Sequence, residues 1–249
     1  MTRLDWALTG ERYYEAGIDR GVLFLDGSPG VAWIGLVNFN QTHTGGESSP
    51  RYLDGIKISN RSSPEELEGT LEAFTYPTEF ERCDGTYRTE NGLRITQQRR
   101  KSFSMVFRSK VGNEVSGLER AYKLHILYNL LAEPSDRGYK TLKDQNDPIS
   151  FSWKVTSRAV AVEGFRPAAH YIVDSRDIPP PLLASLEDLL YGTDTTAPSL
   201  PTPGELFFLF DSYLDSVYDA GSPYTPVFVT YDAGDTTTTV ASTIDGGAL

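Results

Sequence analysis

Ile149-Ser150-Phe151-Ser152-Trp153-Lys154-Val155-Thr156 alternates large apolar and polar side chains without a break. Successive side chains of a strand point to opposite faces, so this run predicts one face in a core and the other in water. Neighbouring segments repeat the pattern. Residues 102–108 put Phe103, Met105 and Phe107 on one side, and residues 67–76 set Leu67, Leu71 and Ala73 against Glu68, Thr70 and Glu72. Gly69, Thr70, Thr75 and Pro77 disfavour the competing helix over the latter stretch. Residues 124–131 are apolar enough to be buried on both faces, and residues 170–173 add a short strand. Gly27-Ser28-Pro29-Gly30 joins the β-prone runs 22–25 and 31–39 as a hairpin. Residues 52–58 read as one further strand, whereas residues 40–50 read as a polar, Gly-rich loop too irregular for a core element. One segment reads as helix: residues 179–181 are prolines that open it, Leu182, Leu183, Leu186, Leu189 and Leu190 recur at helical spacing, and Gly192 stops it.

The charge is sorted along the chain. The net charge is −11, and residues 1–173 carry as many basic as acidic side chains, so the whole excess lies in residues 174–249, where Arg176 is the only cation. That last third is unsuited to gripping phosphate, which needs Lys and Arg, and suited to solubility or to repelling polyanions. Residues 193–203 are rich in Thr and Pro and read as an extended linker. Leu206, Phe207, Phe208, Leu209, Phe210 and Leu214 then form an apolar patch that water would not tolerate free, so docking on a neighbouring subunit is expected. Residues 235–249, rich in Thr, Gly and Ala, are expected to be weakly ordered. The division expected is a body over 1–200 and an extension or arm over 201–249. No run of about 18 apolar residues suggests a bilayer span, and Met1-Thr2-Arg3-Leu4-Asp5-Trp6 does not open like a secretory signal.

Side chains for chemistry are sparse. Cys83 is the only cysteine, which leaves no intrachain disulfide and no multi-cysteine metal site. His43, His125 and His170 lie far apart in the chain and form no HExxH pair, and no phosphate loop or nucleophile elbow is present. Glu68 and Glu72, four residues apart on a strand, would stand about 13 Å apart, beyond the roughly 5–10 Å that glycoside hydrolysis uses. Arg99-Arg100-Lys101 is the densest basic run and reads as a solvated loop or an intersubunit salt bridge, with a contact to DNA as the weaker alternative. Neither a catalytic residue, nor a metal, nor a cofactor is expected.

Particular strings go further. Tyr13-Tyr14-Glu15-Ala16-Gly17-Ile18-Asp19-Arg20-Gly21-Val22-Leu23 resembles the opening of major tail proteins of long, non-contractile-tailed phages of actinobacterial hosts. Tyr52-Leu53-Asp54-Gly55, Glu72-Ala73-Phe74-Thr75-Tyr76-Pro77, Phe80 with Cys83-Asp84-Gly85, Tyr122-Lys123-Leu124-His125, Phe151-Ser152-Trp153-Lys154-Val155-Thr156 and Leu190-Tyr191-Gly192-Thr193-Asp194-Thr195 continue the likeness in order, from about Trp6 to Pro203.

The resemblance implies a mainly β fold of two packed antiparallel sheets, a tail-tube sandwich or barrel with one flanking helix. It implies a homohexamer whose stacked rings form a virion tail tube with a continuous inner barrel. Such tubes polymerise around a tape-measure protein, meet tail terminator and tail-tip proteins, and conduct DNA into the host without binding it specifically. They are virion components made and assembled in the host cytoplasm, away from membranes. On this reading Glu68, Thr70, Glu72, Ser150, Ser152 and Thr156 are lumen-lining candidates, although the same faces fit a tube exterior. Thr42 and His43, within the polar loop, and Leu206, Phe207, Phe208 and Phe210 are assembly candidates. Two alternatives stand beside it. One is a tail terminator or capsid-decoration protein. The other is a carbohydrate-binding host-attachment module with Phe207, Phe208, Phe210, Tyr213 and Tyr218 as sugar platforms.

Overall fold

A computed structural model describes residues 8–46, 48–62, 65–135, 137–139, 141, 149–162 and 164–219. It divides into two units, Met1–Phe208 and Leu209–Leu249. The strands are β1 (Tyr13–Phe24), β2 (Val31–Trp33), β3 (Leu36–Gly45), β4 (Ser48–Leu53), β5 (Ile56–Ser62), β6 (Glu65–Ala73), β7 (Tyr87–Arg88), β8 (Arg94–Ile95), β9 (Phe103–Asn113), β10 (Gly117–Ala132), β11 (Phe151–Ser157) and β12 (His170–Asp174). A 3-10 turn spans Thr78–Arg82, and two helices follow, α1 (Pro180–Tyr191) and α2 (Pro203–Asp219).

The expected mainly β fold is present, built on one eight-stranded antiparallel sheet: seven strands follow the path β2-β1-β9-β10-β11-β6-β3, and β12, off that path, pairs β10. Strand β10 explains how one path makes two packed layers. Its first part pairs β9 and β12, and its last residues pair β11, Leu130 opposite Ser157 and Ala132 opposite Val155. The switch falls at a register break between Leu127 and Leu130, where Asn129 sits at φ 51°. An extra residue in a left-handed conformation bends a strand, and Asn is among the residues that tolerate it. The two halves then face each other. Phe39 of β3 meets Phe107 of β9 with ring centroids 5.5 Å apart, and Leu36 lies against Gly21 of β1.

Between the halves lies an aromatic core. Trp33, Phe80 and Trp153 are buried, with Phe80 4.6 Å from Trp33 and 5.0 Å from Trp153 between ring centroids. Tilted and edge-on pairs such as these add about 0.5–1.5 kcal/mol each beyond area burial. The indole N–H groups require acceptors in this setting, and both have them. Trp33 Nε1 donates to the Thr75 carbonyl at 2.9 Å, and Trp153 Nε1 donates to Asp84 Oδ1 at 2.9 Å. Arg137 pairs with the other carboxylate oxygen of Asp84. Gly69 is needed for close packing, since a Cβ there would stand 2.9 Å from the Phe39 ring and from the Asn40 carbonyl.

The β1-β9-β10 half is buried on its second face as well. Val22, Phe24, Val106, Leu124 and Ile126 are buried but belong outside the aromatic core, and α1 buries Leu182, Leu186 and Leu190. Arg20 of β1 reaches α1, lying over the Tyr191 ring and 3.9 Å from Glu187.

Four local expectations change. Residues 40–50 are mostly strand, because β3 runs through Gly45 and gets its hydrogen bonds from β6 whatever its side-chain polarity. Residues 52–58 are a hairpin turn: Asp54 and Gly55 both take positive φ, the type I′ arrangement favoured by Asp-Gly. Residues 193–203 are pinned rather than free. Gly30 N–H donates to the Pro198 carbonyl at 2.9 Å, the Tyr128 hydroxyl donates to the Pro201 carbonyl at 2.8 Å, and Pro201 is buried. The apolar patch that follows is helical. Thr202 and Glu205 form a reciprocal capping box at its start, Glu205 Oε2 accepting Thr202 N–H at 2.7 Å and Thr202 Oγ1 accepting Glu205 N–H at 3.3 Å.

Candidate assembly surfaces

Strands β3, β6 and β11 lie side by side and share an outward face. Cross-strand pairing aligns Ser152 with Glu72, Lys154 with Thr70, and Thr156 with Glu68 on one side of β6. On the other side it aligns Asn38 with Glu72, Asn40 with Thr70, and Thr42 with Glu68. Directly opposed residues of antiparallel strands project to the same face. Glu68, Thr70, Glu72, Ser152, Thr156 and Thr42 are therefore one polar surface, and Ser150 is exposed just ahead of β11. The opposite positions of β6, Leu67, Gly69, Leu71 and Ala73, are buried, which fixes the orientation. Lys154 is the only Lys or Arg in these three strands. It lies 3.1 Å from Glu68 and 3.7 Å from Glu133, and Glu68 followed by Glu133 raises its pKa. Glu66 and Glu72 stay uncompensated by that cation, so the face is acid-rich and lacks the Arg and Lys pattern of a phosphate-binding surface.

Strands β4 and β5 form a sheet of their own, outside the eight-stranded sheet. Around its turn Tyr52, Leu53, Ile56 and Ile58 are all exposed, Ile56 at 69 %. A lone hairpin is marginal in water, and an apolar tip makes it more so. This arm has the composition of a contact element.

Two of the three histidines, His125 and His170, meet, which their sequence separation conceals. Ser109 Oγ lies 2.5 Å from Glu15 Oε1, so its hydroxyl donates to that carboxylate. Its oxygen then accepts from His125 Nε2–H at 2.9 Å, which leaves His125 Nδ1 to accept from His170 Nε2–H at 3.1 Å. Lys123 closes the chain on Glu15 Oε2 at 2.6 Å. Burial raises the Glu15 pKa, but Lys123 and Ser109 outweigh it and hold it below the ordinary value. Burial lowers His125, opposed by Glu15. Burial, with repulsion from His125 and then His43, pushes His170 down to about 4. In this network the imidazole donates to Ser109 instead of receiving its proton, so the serine is not an activated nucleophile. The arrangement ties β1, β9, β10 and β12 together. Among the described residues no three His, Cys, Asp or Glu side chains are arranged to hold a metal ion, and no helix is long and apolar enough to cross a membrane.

The remaining assembly candidates separate. His43 is exposed on β3, bonded to Gln41 at 2.9 Å. Leu206 is 5 % exposed, and Phe207 stacks on Phe165 at 5.1 Å, so both are engaged within their own unit, while Phe208 is 72 % exposed. Phe210 is half-buried in the second unit. The signals for the arm and for α2, Asp54-Gly55 and Thr202-x-x-Glu205, were present in the sequence. No local signal announced the histidine network.

No family model and no curated protein matches the chain. Among solved structures it is similar to a chain of the anti-feeding prophage baseplate, at 12 % identity and a TM-score of 0.34, covering 68 % of this chain and 97 % of that one. It is also similar to a chain of the sheath-tube complex of an extracellular contractile injection system in its extended state. There the identity is 10 % and the TM-score 0.31, covering 62 % of this chain and 88 % of that one.

Proposed function

We propose that the protein is a structural subunit of a phage tail tube, polymerising as stacked hexameric rings into a conduit for DNA. The observation that carries this reading is the acid-rich face shared by β3, β6 and β11, which suits a lumen because a conduit must not hold what it conducts. The exposed arm β4-β5 supports it as a contact between subunits, and the ordered sequence likeness to major tail proteins supports it from the chain itself. Six copies would close their β3-β6-β11 faces inward around a tape-measure protein, with terminator and tail-tip proteins at the ends.

The test has two parts. Electron microscopy of concentrated protein should show long hollow tubes; single rings or monomers would favour a terminator or decoration role instead. Glu68→Lys with Glu72→Lys should leave tube formation intact and slow DNA ejection from assembled particles by about tenfold, since attraction replaces repulsion along the wall. Unchanged ejection with normal tubes would place that face on the exterior.

A further inference from the structure

The body carries a concentrated basic site, three of whose four cationic side chains form no ion pair among the described residues. A concavity of about 500 Å³ is lined by Arg82, Arg99, Arg100 and Lys101, and among the described residues Asp26 is the only carboxylate on its wall. Two backbone bonds build it. Lys101 N–H donates to the Arg82 carbonyl at 3.1 Å, and Gln98 N–H donates to the Gly85 carbonyl at 2.9 Å, which lays the basic run along the 3-10 turn and brings Arg82 beside it. Arg100 is anchored through Nη2 to the Asp84 carbonyl at 3.0 Å, while its Nε is buried with no acceptor. Arg82, Arg99 and Lys101 are exposed, and among the described residues none forms an ion pair.

Four cations against one carboxylate leave a surplus of positive charge at a site open to solvent. The same chain holds its complement. Residues 220–249 carry Asp232, Asp235 and Asp245 and no Lys or Arg, and α2 ahead of them adds Asp211, Asp215 and Asp219. Complementary patches of this kind steer and register partners. We infer that the Arg82-Arg99-Arg100-Lys101 cleft receives the acidic C-terminal segment, residues 220–249, of a second copy of the chain. The inference rests on the polymerisation reading, which brings copies together, and it adds the charge contact that links one to the next. It gives part of the uneven charge distribution a purpose: residues 1–173 are neutral overall and hold a local basic cleft, and residues 220–249 carry only acid.

The experiment uses full-length protein. Equal amounts of ¹⁵N-labelled and unlabelled chains are mixed, assembled, and treated with a zero-length carbodiimide, which joins Lys to Asp or Glu only when they touch. Chymotryptic peptides should show Lys101 joined to Asp232, Asp235 or Asp245, with about half of the links pairing one heavy and one light peptide. Links only within like-labelled chains would overturn the second-copy occupant. Assemblies that form with no such link would sink this inference while leaving the polymerisation reading standing, whereas a chain that stays monomeric would end both. Charge exchange gives an independent reading. Arg99→Glu with Lys101→Glu should raise the concentration needed for assembly by about tenfold, and adding Asp232→Lys with Asp235→Lys should restore it. If wild-type protein instead binds a DNA duplex and the Arg99→Glu, Lys101→Glu variant loses that binding, the cleft belongs to nucleic acid and the inference fails.

Discussion

Asp84 and His170 show how much a single residue can depend on its surroundings. Asp84 lies in a short string that the sequence offers only as a likeness, yet its carboxylate accepts from the Trp153 indole and pairs with Arg137 beside the aromatic core. His170 looks like an ordinary strand residue and is a donor to His125 within a buried chain that ends on Glu15. Its folded-state pKa of about 4 lies below the ordinary 6.5. The unfolded chain therefore binds the proton more readily, so stability is fully present above about pH 6.5 and declines as the pH falls toward 4. Glu15 and Asp19, both held below their ordinary values, add losses of the same sign at lower pH still. Urea midpoints should fall between pH 7 and pH 4.5, and His170→Gln should flatten that fall. Identical pH profiles for the two proteins would contradict the network.

Among the elements, the β4-β5 arm is the one proposed as a contact between subunits, because Tyr52, Leu53, Ile56 and Ile58 are all exposed. Its apolar residues flank an Asp-Gly turn and face water in the monomer, so charged substitutions there cost the fold nothing and remove only what the arm touches. Leu53→Asp with Ile56→Asp should leave circular dichroism and the melting temperature unchanged while abolishing polymer in sedimentation. Polymer at wild-type concentration would assign the arm no part in assembly. Strand alternation had made β6, β9 and β11 legible from their residues alone, as leucine spacing had made α1. From sequence the arm reads as one strand because the two apolar runs around Asp54-Gly55 are short enough to merge. The second half of β3, residues 40–45, reads as loop because an edge strand can be polar over such a stretch and still hold its hydrogen bonds.

At the scale of the whole molecule, the boundary between units falls between Phe208 and Leu209, inside α2. A stop after Phe208 keeps the buried Leu206 and the Phe165–Phe207 stack, and a stop after Pro203 discards both. The shorter protein should be less stable by about 3 kcal/mol in urea denaturation, the scale of deleting a buried leucine. Equal stability would show that the start of α2 adds nothing to the body. By itself the sequence determined the mainly β class, the inward faces of its alternating strands, helix α1, and the sorting of all net charge into the last third. These follow from periodicity and composition, which are local properties of a chain. Only the tertiary structure decided that Glu68, Thr70, Glu72, Ser152 and Thr156 share one face, that the distant His125 and His170 meet, and that Arg82 joins the basic run. Each of those depends on which strand pairs with which and in what register, and that choice is made by long-range burial that no short stretch of residues contains.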